Sequence, residues 1–164
     1  MINARIEKAL NHQINHEFTN SYTYLAIAAW CANQNLPGFA HWLQVQHQEE
    51  LGHALKLFEF VIDRGGTVEL DAVGKPKATY RTPKDVFTAA LKLEQTTTTL
   101  INKLYALAVE EKDYATQSFL QWFVDEQVEE EKNTSAVLAM LEMAGDSKGT
   151  LLMLDHQLGK RGKS

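Results

Sequence analysis

Glu49-Glu50-Leu51-Gly52-His53 lies in the middle of a helical pattern and turns polar groups toward the side where apolar residues gather. A carboxylate and an imidazole three residues apart, here Glu50 and His53, share one helix face and are able to grip one metal ion together. Around them Phe39, Leu43, Leu57 and Val61 recur at helical spacing, so the segment reads as an amphipathic helix from about Gly38 to Arg64, closed by Gly65-Gly66.

Upstream, apolar spacing continues from Ile2 to about Cys31 through Ile6, Leu10, Ile14, Tyr24 and Ala28, with Asn3 as its cap. Residues 33–38, with Pro37, form a short connection. Downstream, residues 67–81 lack a helical period and read as a long extended connection. Thr82-Pro83-Lys84-Asp85 then opens a third helix with a hydroxyl cap, a first-turn proline and an acid. That helix runs to about Glu111. Asp113 caps a fourth, ending at Ala144-Gly145, and a densely apolar fifth covers roughly Ser147 to Leu158. The basic end from Lys160 to Lys163 reads as a solvated, frayed tail.

Connection lengths set the topology. The first and third links are short, so each joins an antiparallel hairpin. The middle link of about 15 residues reaches roughly 50 Å when extended. A helix of about 27 residues is only about 40 Å long. The second and third helices are therefore expected to run parallel. The fold class is all-α: a four-helix bundle with one long crossover and a short fifth helix, in one domain spanning residues 1–164.

On this scaffold each long helix carries acid on its inward stripe: Glu17 on the first, Glu50 on the second, Glu94 on the third, and Glu126 and Glu130, with Glu129 beside them, on the fourth. Counted from the nearer hairpin turn, all sit at similar height. Desolvating a carboxylate costs several kcal/mol or more unless it is paired or bound to metal. Lys56, Lys92, Lys103 and Lys132 fall mostly on outer faces, which makes ion pairing a poor answer. Carboxylates plus one imidazole suit a pair of iron or manganese ions better than zinc. Singly, any of these acids reads as a solvated surface group; the coincidence of face and height on four helices is what argues for a site.

Composition narrows the class. The chain has 164 residues, a formal charge of -5 and one cysteine, Cys31. The charge argues against nucleic acid or an anionic membrane as partner. A lone cysteine excludes an intrachain disulfide framework and a Cys-x-x-Cys metal site. No apolar run has the length of a membrane span and no signal segment opens the chain, so a cytoplasmic protein is expected.

The motifs Asn15-His16-Glu17, Tyr24, Glu49 to Ala54, Glu94 and Trp122 to Glu131 together resemble the non-haem bacterial ferritins over essentially the whole chain. The resemblance implies a ferroxidase and iron store. Glu17, Glu50 and His53 would hold a first iron, and Glu50 would bridge to a second held by Glu94 and Glu130, with Gln127 alongside. Glu49, Glu126 and Glu129 would form a third, transit site toward an interior cavity. It also implies a homo-oligomeric shell of 24 subunits, with Fe(II) and oxygen as substrates. Bacterioferritins place a haem-binding methionine after the bridging glutamate. This chain has Leu51 there, so no haem is expected. The second Glu-x-x-His of general di-iron bundles is replaced by Glu126-x-x-Glu129, with Glu130 next.

Secondary readings complete the set. Tyr24 either hydrogen-bonds a ligand or donates an electron, or is a core tyrosine with its hydroxyl satisfied, and Trp122 leans structural. Gly52 gives room beside the metal or a close helix contact. The fifth helix lacks an obvious partner on its own bundle. His12, His41, His47 and His156 are surface or structural groups, and Cys31 a small core residue. Two other function classes remain: a di-iron enzyme acting on an organic substrate, and a structural bundle with an incidental metal.

Overall fold

A computed structural model describes residues 1–162 and contains five helices: α1 (Ala4–Asn33), α2 (Pro37–Asp63), α3 (Pro83–Glu110), α4 (Tyr114–Ala144) and α5 (Lys148–Leu158). The expected helices are all present, with ends within a few residues of those read from the sequence. Lys163 of the basic tail lies outside the described residues.

Local sequence accounts for most of the boundaries. Asn3, Thr82, Asp113 and Ser147 each accept a backbone N–H of the helix they precede, contacts that stabilise by about 1 kcal/mol apiece. The exception is α2, whose N-cap position is Leu36 and supplies no side-chain acceptor. Its first amides are capped from another helix: Asp155 of α5 accepts from Gly38 N at 2.8 Å and Phe39 N at 2.9 Å. Gly38 is required there, because a Cβ would overlap the Asp155 carbonyl. At the far ends Gly65 and Gly145 take positive φ, 69° and 53°, where a side chain would be strained.

Contacts at one end of the bundle define its directions. Ile2 N donates to Arg64 O, Arg5 pairs with Glu110 and Glu111, and Arg64 forks onto Asp113 at 3.0 and 3.1 Å. The start of α1 thus meets the ends of α2 and α3, and the end of α2 meets the start of α4. At the opposite end Lys84 reaches Glu142. Hence α2 and α3 run parallel, as the long crossover requires.

Two apolar clusters fill the interior. One gathers Tyr24, Phe39, Leu43, Phe87 and Val137 toward the α5 end. The other gathers Ile6, Leu10, Leu57, Ile101 and Phe123 toward the far end. The buried layer between them is polar, with Gln13, Glu17, Gln46, Glu50, His53, Glu94, Gln127 and Glu130. Cys31 is buried in the first cluster, as expected. Among the described residues no helix is long and apolar enough to cross a membrane.

Three expectations need correction. The fifth helix does have a partner on its own bundle: Leu154 and Leu158 are buried in the first cluster, and only the outer Leu152 and Met153, 60% and 73% exposed, are left uncovered. The stretch after α5 is not a loose tail through Arg161, because His41 Nε2 holds the Arg161 carbonyl at 2.8 Å and the guanidinium folds back on α2. Gly52 is exposed and a Cβ there would meet nothing within 4 Å, so it neither makes room at the site nor permits a helix contact within this chain.

Candidate metal centre

Helix periodicity alone turns Glu17, Glu50, Glu94 and Glu130 to the bundle axis, and all four are buried. The structure brings three of them, Glu17, Glu50 and Glu130, into two tight groups whose ligand atoms lie within 4.8 Å of one another. The first is Glu17, Glu50 and His53; the second is His53, Glu126 and Glu130. His53 stands between them, with Nδ1 3.9 Å from Glu50 Oε2 and Nε2 3.9 Å from Glu126 Oε1. Its ring packs edge-on against Trp122 and Phe123, which exclude water from one side. Trp122 in turn lies under Lys56, whose Nζ is 4.1 Å from the ring centroid.

Glu94 belongs to neither tight group but is tied to the site from two sides. The Tyr24 hydroxyl donates to its Oε1, and Gln127 Nε2 donates to its backbone carbonyl at 3.2 Å and its Oε2 at 3.4 Å. The Tyr24 hydroxyl is thus satisfied by the Glu94 carboxylate. Glu126 is half-buried, Glu129 is exposed, and Glu49 is half-buried; Glu49 and Glu129 lie in neither tight group.

Burial governs the protonation of the site. Desolvation lifts the carboxyl pKa of Glu17 and lifts that of Glu50 well above the usual range, with the Glu17 and Glu94 charges adding to the rise at Glu50. Burial likewise raises Glu94 to about 7 and Glu130 to about 8, the latter helped by the Glu94 charge. His53 goes the other way, down to about 4, through burial and then Lys56. Burial therefore favours the neutral form of these carboxyls and of the imidazole alike.

Of the four buried side-chain oxygens left without a hydrogen-bond partner among the described residues, two belong to the site: Glu17 Oε2 and Glu50 Oε2. Orphaned buried acceptors are costly, by about 1–3 kcal/mol each. Their placement on adjacent helices, beside a neutral imidazole nitrogen, fits a hard divalent cation and its preference for oxygen donors.

Sequence reasoning missed several residues that hold this layer in place. Gln13 Nε2 donates to Glu17 Oε1 at 2.7 Å, and Gln46 Nε2 donates to Glu130 Oε2 at 2.6 Å and Glu50 Oε1 at 3.4 Å. Each glutamine precedes a site glutamate by four residues, one helical turn, and that spacing was the available signal. Thr97 meets His16 Nε2 at 2.8 Å and accepts from Asn20 at 2.9 Å across the α1–α3 interface. Thr98 donates to Glu131 at 2.6 Å. His47 is structural as expected, joined to Ser21 at 2.8 Å. Ion pairing, set aside as an answer for the acids, does operate at Glu49, whose Oε2 lies 2.6 Å from Arg161 Nη2.

A four-helix bundle with one long crossover and an acid-lined polar layer, whose carboxylates and single imidazole could hold a metal ion, defines the ferritin-like class. The comparisons with known proteins make the assignment specific: residues 7–144 match the ferritin family model, described as a ferritin-like domain, and the chain belongs to the ferritin family. It is 37% identical to a bacterial non-heme ferritin of Staphylococcus aureus, over 98% of this chain and 97% of that protein. It is also 37% identical to one of Bacteroides fragilis, over 98% of this chain and 100% of that protein. An open pore ferritin from the hyperthermophilic archaeon Archaeoglobus fulgidus superposes with a TM-score of 0.97 at 42% identity, covering 98% and 99% of the two chains.

Proposed function

We propose that this chain, as one ferritin-like unit over residues 1–164, oxidises Fe(II) with oxygen at an intrasubunit pair of iron positions. It stores the ferric product as mineral inside a shell of 24 identical subunits. The observation that carries the reading is the facing pair of unpartnered buried oxygens, Glu17 Oε2 and Glu50 Oε2, with His53 beside them. A purely structural bundle would gain nothing from burying so many acids, each of which must be held uncharged or matched by a cation.

In this reading Glu17, Glu50 and His53 receive the first Fe(II), which enters as substrate. Glu50, central between α1 and α4, is shared with a second Fe(II) held by Glu94 and Glu130, with Gln127 steadying Glu94. Tyr24 orients Glu94 through its hydroxyl. The acids give up their protons as the cations arrive, and the resulting negative charge and oxygen donors favour Fe(III) over Fe(II). Electrons pass from the iron pair to oxygen. Glu49, Glu126 and Glu129 form the third, looser position on the way to the interior. Membership of the ferritin family supports storage, and the uncovered Leu152 and Met153 of α5, with Tyr22, Leu25 and Leu70 elsewhere, supply apolar surface for assembly.

The test is an anaerobic Fe(II) titration followed by oxygen admission, comparing the wild type with Glu50→Ala. Rapid oxidation with oxygen uptake is expected only in the wild type, on particles of equal size. Oxidation by Glu50→Ala at the wild-type rate would sink the site assignment, and elution of the wild type as a monomer or dimer would sink the shell.

A further inference from the structure

Arg161 follows α5 yet reaches back across the start of α2 toward the site. Its guanidinium lies over the Trp42 ring, 4.2 Å from the centroid. Nη1 donates to the Trp42 carbonyl at 3.2 Å and to Gln46 Oε1 at 3.0 Å, while Nη2 donates to Glu49 Oε2 at 2.6 Å. The backbone behind it is pinned by His41 at its carbonyl and by its own amide on the Leu158 carbonyl. The side chain is largely buried, 18% exposed. This is a built contact with a planar fork satisfied on several sides, not a surface ion pair of chance.

Two consequences follow from the donors. Because Arg161 occupies Gln46 Oε1, the Gln46 amide must turn its nitrogen inward, where it meets Glu130 and Glu50. Because Arg161 also occupies Glu49, that carboxylate is already paired with a cation of the chain itself. We propose that Arg161 is a positioning residue that serves as the resident counter-cation of Glu49, withholding the cavity-side carboxylates from a tightly held metal while it orients Gln46 toward the intrasubunit pair. The inference rests on the reading of Glu49, Glu126 and Glu129 as a third, cavity-side cation position. A cation arriving there must displace the guanidinium from Glu49, so it binds weakly and leaves easily. A position that passes iron inward needs that weakness. A tight site would trap its cargo.

The probe is Zn(II) alone, titrated calorimetrically into the assembled, iron-free protein, so that the readout is binding and not oxidation. Arg161→Gln should tighten the weakest class of Zn(II) sites by about tenfold, the equivalent of one moderately buried charge contact. Arg161→Lys, which keeps the positive charge, should restore affinity close to that of the wild type. In a Glu49→Gln background, Arg161→Gln should leave the weak class of Zn(II) sites unaltered, since the partner is gone. Unchanged weak-site affinity in Arg161→Gln overturns the proposal, as does an Arg161→Lys variant that behaves like Arg161→Gln. If Glu49→Gln alone leaves every class of Zn(II) site intact, the third-position reading has failed. If Glu49→Gln removes a class that Arg161→Gln leaves unaltered, only the role of Arg161 has failed.

Discussion

Gln46 Nε2 of α2 stands 2.6 Å from Glu130 Oε2 of α4, closing the polar layer between helices that are distant in sequence. It is the only hydrogen bond found to Glu130's carboxyl among the described residues, so Glu130 depends on it when no cation is bound. Gln46→Leu should therefore leave a buried acceptor bare and destabilise the metal-free protein by about 1–3 kcal/mol. Loss of a hydrogen bond that orients a metal-binding carboxylate also weakens metal binding by about 10- to 100-fold. Thermal unfolding in chelator and Zn(II) calorimetry measure the two effects separately.

Stability of the metal-free fold should fall as pH rises. Glu94 and Glu130 bind protons more tightly folded, with pKa about 7 and about 8, than at their ordinary 4.5, and Glu17 and Glu50 shift the same way. Their contribution is fully present below 4.5 and lost as pH climbs through 7 to 8. His53, lowered to about 4 from 6.5, acts oppositely: its contribution is present above 6.5 and lost as pH falls toward 4. The raised carboxyls outnumber it, so calorimetry in chelator should show a falling Tm between pH 6 and about 8.5. A Tm that rises across that window would contradict the protonated site.

Cation binding should release protons for the same reason. Zn(II) titrations near pH 6, repeated in buffers of different ionisation enthalpy, should give apparent heats that scale with the buffer. Heats independent of the buffer would mean that the acids were ionised before the metal arrived.

Tyr24→Phe removes the hydroxyl that donates to Glu94. That bond lowers the Glu94 pKa against the larger rise from burial, so its loss should push Glu94 higher still. The pH at which Zn(II) half-saturates the intrasubunit site should move up in the variant while the helical content stays unchanged. Coincident pH profiles would show that the hydroxyl does not tune Glu94.

Gly38→Ala should lift α5 from the bundle, because the new methyl group overlaps the Asp155 backbone. Asp155 would lose both α2 amides, and Leu154 and Leu158 their burial. Gel filtration should then show loss of the assembled particle, whereas Zn(II) binding at Glu50, roughly 18 Å further along α2, should persist. An intact particle at wild-type Tm would refute the close fit.

The legible parts were those written in local periodicity. Ile6, Leu10 and Ile14 mark α1, Thr82-Pro83 opens α3, and the crossover is long enough to let α2 and α3 run parallel. The inward acids were equally plain, since a glutamate on an apolar stripe is conspicuous against its neighbours. Gln13 and Gln46 were not, because a neutral amide on the same stripe carries no comparable desolvation penalty and raises no alarm. Gly52 misled for a related reason: a glycine beside a motif invites a reason that only its surroundings can supply.

What the sequence by itself determined was helix placement, topology, and the meeting of Glu17, Glu50, His53, Glu94 and Glu130 in one layer, because 3.6-residue periodicity and connection length act along the chain. Tertiary structure alone decided which groups were completed from afar. Asp155 caps an α2 whose own Leu36 offers no acceptor, Arg161 claims Glu49, and Tyr24 selects Glu94. The physical reason is that a hydrogen bond across helices depends on where a side chain ends in space, and residues 117 and 112 positions apart carry no shared period to announce it.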